Sequence, residues 1–418
     1  MKLSRFGEKF SAESGIVELM DDLATALHEN PNMVFMGGGN PGRVPEVEAV
    51  FRRRLEAVLS NNDQIYKLLG LYQSPQGDRA FRSQVANLLK TEFGWNLTEA
   101  NIAVSNGSQS AFFVLFNLFA GEMTNGDKHT IHLPLAPEYI GYNDTGLSDG
   151  FFTATQPKIS LLDDDLFKYN VDFDSLKVTE QTAAICVSRP TNPSGNVLTD
   201  AEIEKLDQIA RNNNIPFIID SAYGLPFPHI LFCDAKPYWN ENTIVVLSLS
   251  KLGLPGARTG IIVASEKVIR AYTNANTIVS LACGNLGTVI AREMFKTGEI
   301  LDLSKSITPF YQRKAMRAVE LFRENLQGVP FRIHKPEGAI FLWLWFEALP
   351  ISSQQLYERL KEQGVLVLSG HNFFPGLSDS EHWPHMQQCL RVSYVQDDAM
   401  IKKGIEIIAR EVKKVYQL

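Results

Sequence analysis

The 418 residues are enough for two domains and a large core. With 40 Lys+Arg against 47 Asp+Glu, and so a net charge of −7, the chain lacks the basic footprint of a nucleic-acid binder. No apolar run approaches the ~20 residues that span a bilayer, the polar start MKLSRFGEKF holds no apolar signal core, and the scattered Cys186, Cys233, Cys283 and Cys389 read as reduced thiols of a cytoplasmic protein.

Apolar residues at helical spacing predict one amphipathic helix over most of residues 1–30. A short apolar strand at 33–36 ends in Gly37-Gly-Gly-Asn-Pro41. That bare backbone either lets a ligand reach main-chain N–H groups or serves only a tight turn. Helices are expected at 45–59 and 78–92, and between them Tyr72 precedes a Pro-Gln-Gly turn. A strand at 101–104 leads through Ser105-Asn-Gly107-Ser108-Gln109-Ser110 into an apolar helix at 111–119. Strand, small-residue turn and helix N-terminus form the layout of an anion site, although a plain helix cap uses the same residues.

Strands at 130–133, 151–155, 183–187, 215–219, 242–247 and 261–264, interrupted by helices such as 199–212, predict a largely parallel α/β sheet. Ligands sit beyond the carboxyl ends of such strands. Asn192, in Ser188-Arg-Pro-Thr-Asn192-Pro-Ser-Gly195, falls at one such end. Asp220, in Asp220-Ser-Ala-Tyr223, falls at a second, and Lys251, in Ser248-Leu-Ser-Lys251, at a third. A lysine between two core strands is costly unless its charge is used or shifted. Burial lowers its pKa and makes the amine a nucleophile toward carbonyls. Residues 285–326 read as one long helix. Strands near 331–334, 341–346, 365–368 and 389–394, with helices at 353–364 and over the last 20 residues, suggest a separate α+β domain. His382-Trp-Pro-His385 is the nearest approach to a metal pair, but no acidic or thiol ligand stands beside it, and no metal is expected.

The set Asn192-Pro-Ser-Gly, Asp220-x-x-Tyr223, Ser248-x-Ser-Lys251 and Arg258-x-Gly260 resembles, in order and spacing, the fold-type I aminotransferases, which use pyridoxal 5′-phosphate. Gly107-Ser-Gln, Pro137-x-Tyr139 and Arg391 extend the likeness over essentially the whole chain. The resemblance implies a large cofactor-binding domain, residues 49–324 including an interdomain helix, with a mainly parallel seven-stranded sheet between helices. A smaller α+β domain would comprise residues 1–48 and 325–418.

It implies roles as well. Lys251 would hold the cofactor as a Schiff base and move the substrate proton. Asp220 would pair with the protonated pyridine nitrogen, making the ring a better electron sink. Tyr223 and Asn192 would bond the ring hydroxyl oxygen, and Tyr139 would stack on the ring. Gly107, Ser108, Gln109, Ser248 and Arg258 would hold the phosphate. Tyr72 would reach the phosphate of the other subunit of a homodimer with shared active sites. Arg391, with the Gly39 N–H and Asn192 nearby, would clamp the substrate α-carboxylate. The implied reaction passes the amino group of a small aliphatic L-amino acid to a 2-oxo acid, with L-valine and pyruvate giving 3-methyl-2-oxobutanoate and L-alanine. Another aminotransferase specificity, or a lyase on the same fold, is the alternative. A ligand-sensing regulator of this fold would need a basic DNA-binding module, and no stretch has that charge.

Overall fold

The computed structural model describes residues 1–12, 15–30, 32–377 and 383–418. His382 of the His382/His385 pair lies outside them, while His385 is buried and bonded to the Tyr169 hydroxyl.

The large sheet has eight strands. Five lie parallel, in the order Phe152–Ala154, Lys128–Leu133, Thr182–Ser188, Phe217–Asp220 and Thr243–Ser248. Gly260–Val263 then pairs antiparallel with Thr243–Ser248 and with Ile102–Ser105. These make the seven strands expected; the eighth is the two-residue piece Gly121–Glu122 beside Lys128–Leu133. The central strands are buried along their whole length because helices cover both faces. Alternate residues therefore enter two cores. Ile244 and Val246 pack with Phe112, Phe116 and Tyr272. Val245 and Leu247 belong to the larger core that holds Phe81, Ile203 and Met294.

A second sheet of six strands runs Leu368–Ser369, Cys389–Ser393, Phe341–Phe346, Phe331–His334, Leu166–Asn170 and Lys158–Leu161. Its last two strands come from within residues 49–324, so a division by chain position alone does not follow the sheets there. Val34–Phe35 pairs with Val365–Leu366 and ties the N-terminal segment to this half of the molecule.

The helices depart from expectation in four places, the first being a helix at Asn62–Leu69 where none was expected. The N-terminal helix is two, Arg5–Ser11 and Gly15–Glu29. The long helix at 285–326 is three, Leu286–Thr297, Glu299–Asp302 and Ser304–Asn325, because Gly298 takes φ +78° and caps the first. Glu266–Ser280 is a helix that its Asn- and Thr-rich sequence disguised; burial of Ile269 and Tyr272 outweighs weak propensity. Elsewhere local rules hold. Thr199 and Glu202 cap Asp200–Asn212 reciprocally, and Asp78 caps Arg79–Phe93 through the Phe81 N–H.

Gly260 sets how closely the strands approach the turn at Gly107. A Cβ there would lie 2.3 Å from Ser105 Oγ and 2.9 Å from both the Gly107 carbonyl carbon and the Ser108 nitrogen. Since two of those atoms are backbone, Gly260→Ala is expected to cost ~1–3 kcal/mol. Urea unfolding measures this, and an unchanged midpoint would contradict the packing.

Candidate active site

Ser188, Asp220 and Ser248 are the last residues of three neighbouring parallel strands. Their ends open on a cavity of about 500 Å³. Lys251 follows Ser248 by three residues and points into it. Its Nζ donates to the Gly39 carbonyl at 2.5 Å and lies 5.2 Å from the centre of the Tyr223 ring. Burial, with the nearby Arg391 and Arg258 charges, lowers its pKa to about 8, and Asp220 opposes the fall. Asp220 is itself buried, which raises its pKa to about 6. Its carboxylate is fixed by the Tyr142 hydroxyl at 2.7 Å on Oδ2 and the Ala222 N–H at 2.9 Å on Oδ1.

One end of the cavity suits an anion. Gly107, at φ +89°, precedes the helix Ser108–Phe119, whose first N–H groups are free of intrahelical partners. The Arg258 guanidinium lies over Gly107: a Cβ there would sit 2.3 Å from Nη2. Ser248 is buried in the same wall and accepts from the Ser250 N–H. Gln109 gives its Nε2 to the Gly141 carbonyl at 2.7 Å, leaving Oε1 without a partner among the described residues.

The opposite end is built on Arg391, from the middle of Cys389–Ser393. Nη1 donates to Asn192 Oδ1 and Nη2 to the Gly37 carbonyl, each at 2.7 Å. Nε has no partner among the described residues, and the guanidinium lies 3.9 Å from the centre of the Phe341 ring. Burial lowers its pKa to about 10, still far above neutrality.

Most residues expected at one site do converge. Gly39, Ser108, Gln109, Tyr139, Asn192, Asp220, Tyr223, Ser248, Lys251, Arg258 and Arg391 all line the cavity, with Gly107 packed beneath Arg258. Gly39 also accepts from Lys251 through its carbonyl. Tyr72 does not join them: it is 86% exposed and lines no part of this cavity. Tyr142, Glu138 and Ser188 escaped sequence reasoning. Tyr142 had a usable signal, its three-residue spacing from Tyr139. Glu138 had another, an acid inside the apolar stretch LAPEYIGY.

A family model of the class I and II aminotransferases matches residues 53–408. The chain belongs to that family. A valine–pyruvate aminotransferase of Escherichia coli K12 is 48% identical over 417 residues, 100% of this chain and 99% of its own. The crystal structure of a valine–pyruvate aminotransferase from Salmonella typhimurium LT2 matches with TM-score 0.88 and 46% identity, over 96% of this chain and 100% of that one. The crystal structure of a protein from Psychrobacter arcticum 273-4, named a putative amino-acid aminotransferase, matches with TM-score 0.97 and 45% identity, over 100% of this chain and 99% of its own.

Aminotransferases of this family depend on pyridoxal 5′-phosphate. The residues present fit that group. A nucleophilic amine of lowered pKa, a buried carboxylate to which no cation among the described residues is bonded, and a cradle that a Cβ at Gly107 would fill surround one cavity.

In the cofactor-free protein, the rate at which an amine-directed reagent modifies Lys251 should rise through a midpoint near pH 8. Asp220→Asn removes the charge that favours the ammonium form, so the midpoint should fall. Peptide mapping across a pH series checks both. A midpoint like that of an exposed lysine, about 10.4, would contradict the burial argument.

Proposed function

We propose that this aminotransferase moves the amino group of L-valine to pyruvate, giving 3-methyl-2-oxobutanoate and L-alanine. The observation that carries the substrate class is the distribution of charge in the cavity. Its lining cations among the described residues are Lys251, Arg258 and Arg391. Arg258 stands at the anion end and Arg391 at the other, where it meets the substrate α-carboxylate. One wall is apolar, with Met20, Leu23 and Leu27 from the helix Gly15–Glu29 together with Phe35 and Leu368. A carboxylate on the substrate side chain would be buried there without a partner, whereas an aliphatic branch would not. The 48% identical relative, whose name pairs valine with pyruvate, supports the same couple.

In this reading Gly107, Ser108, Gln109, Ser248 and Arg258 hold the cofactor phosphate, and Tyr139 lies against the ring. Asp220 holds a proton on the pyridine nitrogen, and Tyr223 and Asn192 bond the ring hydroxyl oxygen. Bound pyridoxal 5′-phosphate supplies an electron sink for negative charge at the substrate Cα. The Lys251 amine, neutral in a good fraction near pH 8, takes the proton from that Cα. Arg391, braced by Asn192 and Gly37, turns the substrate so that its Cα proton faces the amine.

A homodimer with shared sites is part of the proposal. Leu69, Tyr72, Ile278, Val279 and Leu281 are exposed large hydrophobic residues. The Asn285 side chain, bonded to the Lys67 and Leu71 carbonyls, holds two of the segments that carry them together. The family likeness gives Tyr72 to the phosphate site of the other subunit, and a second copy would cover the exposed apolar surface that carries it. Three buried free thiols, Cys186, Cys283 and Cys389, suit the reducing cytoplasm.

With L-valine and pyruvate supplied, one L-alanine should form for each 3-methyl-2-oxobutanoate. Lys251→Ala should lower kcat at least about 100-fold, and L-aspartate should be a donor at least about 100-fold poorer in kcat/KM. Release of ammonia in place of alanine would indicate a lyase, and equal use of aspartate would contradict the apolar wall.

A further inference from the structure

Glu138 is a carboxyl in an unusual place. It is 1% exposed and forms no ion pair among the described residues. Its oxygens are instead held by neutral donors from two segments. The Ser188 N–H donates to Oε1 at 2.8 Å, and the Ser188 hydroxyl to Oε2 at 2.5 Å. The N–H of Tyr139 donates to Oε2 at 3.2 Å. On its backbone side, the Glu138 N–H donates to the Phe373 carbonyl at 2.8 Å.

Each partner leads to a different part of the site. Ser188 lines the cavity, is the register neighbour of Asp220, and precedes Arg189, whose N–H donates to the Asp220 carbonyl. Tyr139 lines the cavity, its ring 5.3 Å from and nearly perpendicular to that of Tyr142, which bonds Asp220. Phe373 flanks the Arg391 guanidinium at 5.2 Å. One side chain and its own N–H thus join the segment of the ring-facing tyrosine, the strand of the pyridine carboxylate and the neighbourhood of the substrate clamp.

We propose that Glu138 is a positioning residue that fixes Tyr139 against the Ser188–Asp220 strand end and so sets the aromatic face offered to the cofactor ring. The proposal rests on the reading that Tyr139 faces that ring. Burial, with the Asp220 charge beside it, raises the Glu138 pKa to about 8, so at neutral pH the carboxyl is mostly protonated. In that form it donates to the Ser188 hydroxyl while accepting from both backbone N–H groups, and it adds no charge next to Asp220. Asp220, Tyr139, Tyr142, Cys186 and Ser188 are the polar or titratable groups around it. Glutamine keeps both Ser188 bonds and loses only the longer one from Tyr139; alanine loses all three.

The test compares wild type, Glu138→Gln, Glu138→Ala and Ser188→Ala. The readouts are the dissociation constant for pyridoxal 5′-phosphate, the circular dichroism of the bound cofactor band, kcat and KM for L-valine, and the melting temperature of the cofactor-free protein. Glu138→Ala should raise the dissociation constant and lower kcat about tenfold each, and alter the dichroism, with KM less affected. Glu138→Gln should rescue these to within about threefold of wild type. If Glu138→Ala lowers only the melting temperature and leaves cofactor affinity and dichroism as in wild type, the residue is structural and the proposal fails. It fails also if Gln does no better than Ala. Should Glu138→Ala not fold, Ser188→Ala decides: altered dichroism supports the link, and an unchanged band overturns it. A wild-type protein with no cofactor band would instead overturn the underlying reading.

Discussion

The site depends on burying one amine among charges of its own sign. Lys251 lies in a cavity wall with Arg391 and Arg258 close enough to depress its pKa, and Asp220 is the acid that acts in the opposite direction. Moving the amine outward would restore its proton and abolish its value as nucleophile and base near neutrality. Adding a second carboxylate would have the same effect. The neighbouring acid is consistent with this. Glu138 is nearer neutral than charged at pH 7, so Asp220 stands as the principal anion facing the cavity.

That balance requires two sheets to meet at one place. The large sheet brings Asp220, Ser188 and Ser248 to neighbouring strand ends, and the second sheet brings Arg391. The joint between them is close-packed. A Cβ on Gly195 would lie 2.7 Å from the Gly338 carbonyl oxygen, so the Asn192–Gly195 turn and the Glu337–Gly338 loop touch through bare backbone. Glu337 bonds Lys168 and the Val197 N–H, and Lys168 also bonds Asn196. These contacts hold the turn that carries Asn192, and Asn192 in turn orients Arg391. The Gly15–Glu29 helix closes the apolar side. Its Asp22 is bonded to Tyr357 and Lys361 of the helix Ser353–Glu362, so the Gly15–Glu29 helix is anchored on the second-sheet half.

Much of this was legible in the sequence, for physical reasons. Three of the parallel strands, Thr182–Ser188, Phe217–Asp220 and Thr243–Ser248, are buried along their whole length and end in a polar residue; Asp220 and Lys251 were visible on those grounds. Arg391 needed the family likeness, since an arginine in an apolar strand does not by itself tell a clamp from an ion pair. The hairpin at 158–170 could not be placed from its position, because strand partners distant in the chain leave no local mark. The helix Glu266–Ser280 was hidden by weak propensity, and the breaks near 298 by a single glycine whose φ only the packing decides. Glu138 and Tyr142 left a trace, the acid inside LAPEYIGY and the three-residue spacing from Tyr139, but their function is to hold other side chains, and nothing in that trace says which ones. Tyr72, which the likeness alone assigned to a site, is exposed and lies outside the cavity of one chain.

The most direct test of the account is to load the protein with pyridoxal 5′-phosphate, reduce it with borohydride and map the labelled peptide. The account predicts that the cofactor is fixed to Lys251 alone, in a peptide containing Ser248 and Ser250. A label on any other lysine, or a loaded protein that releases all its cofactor after reduction, would contradict it.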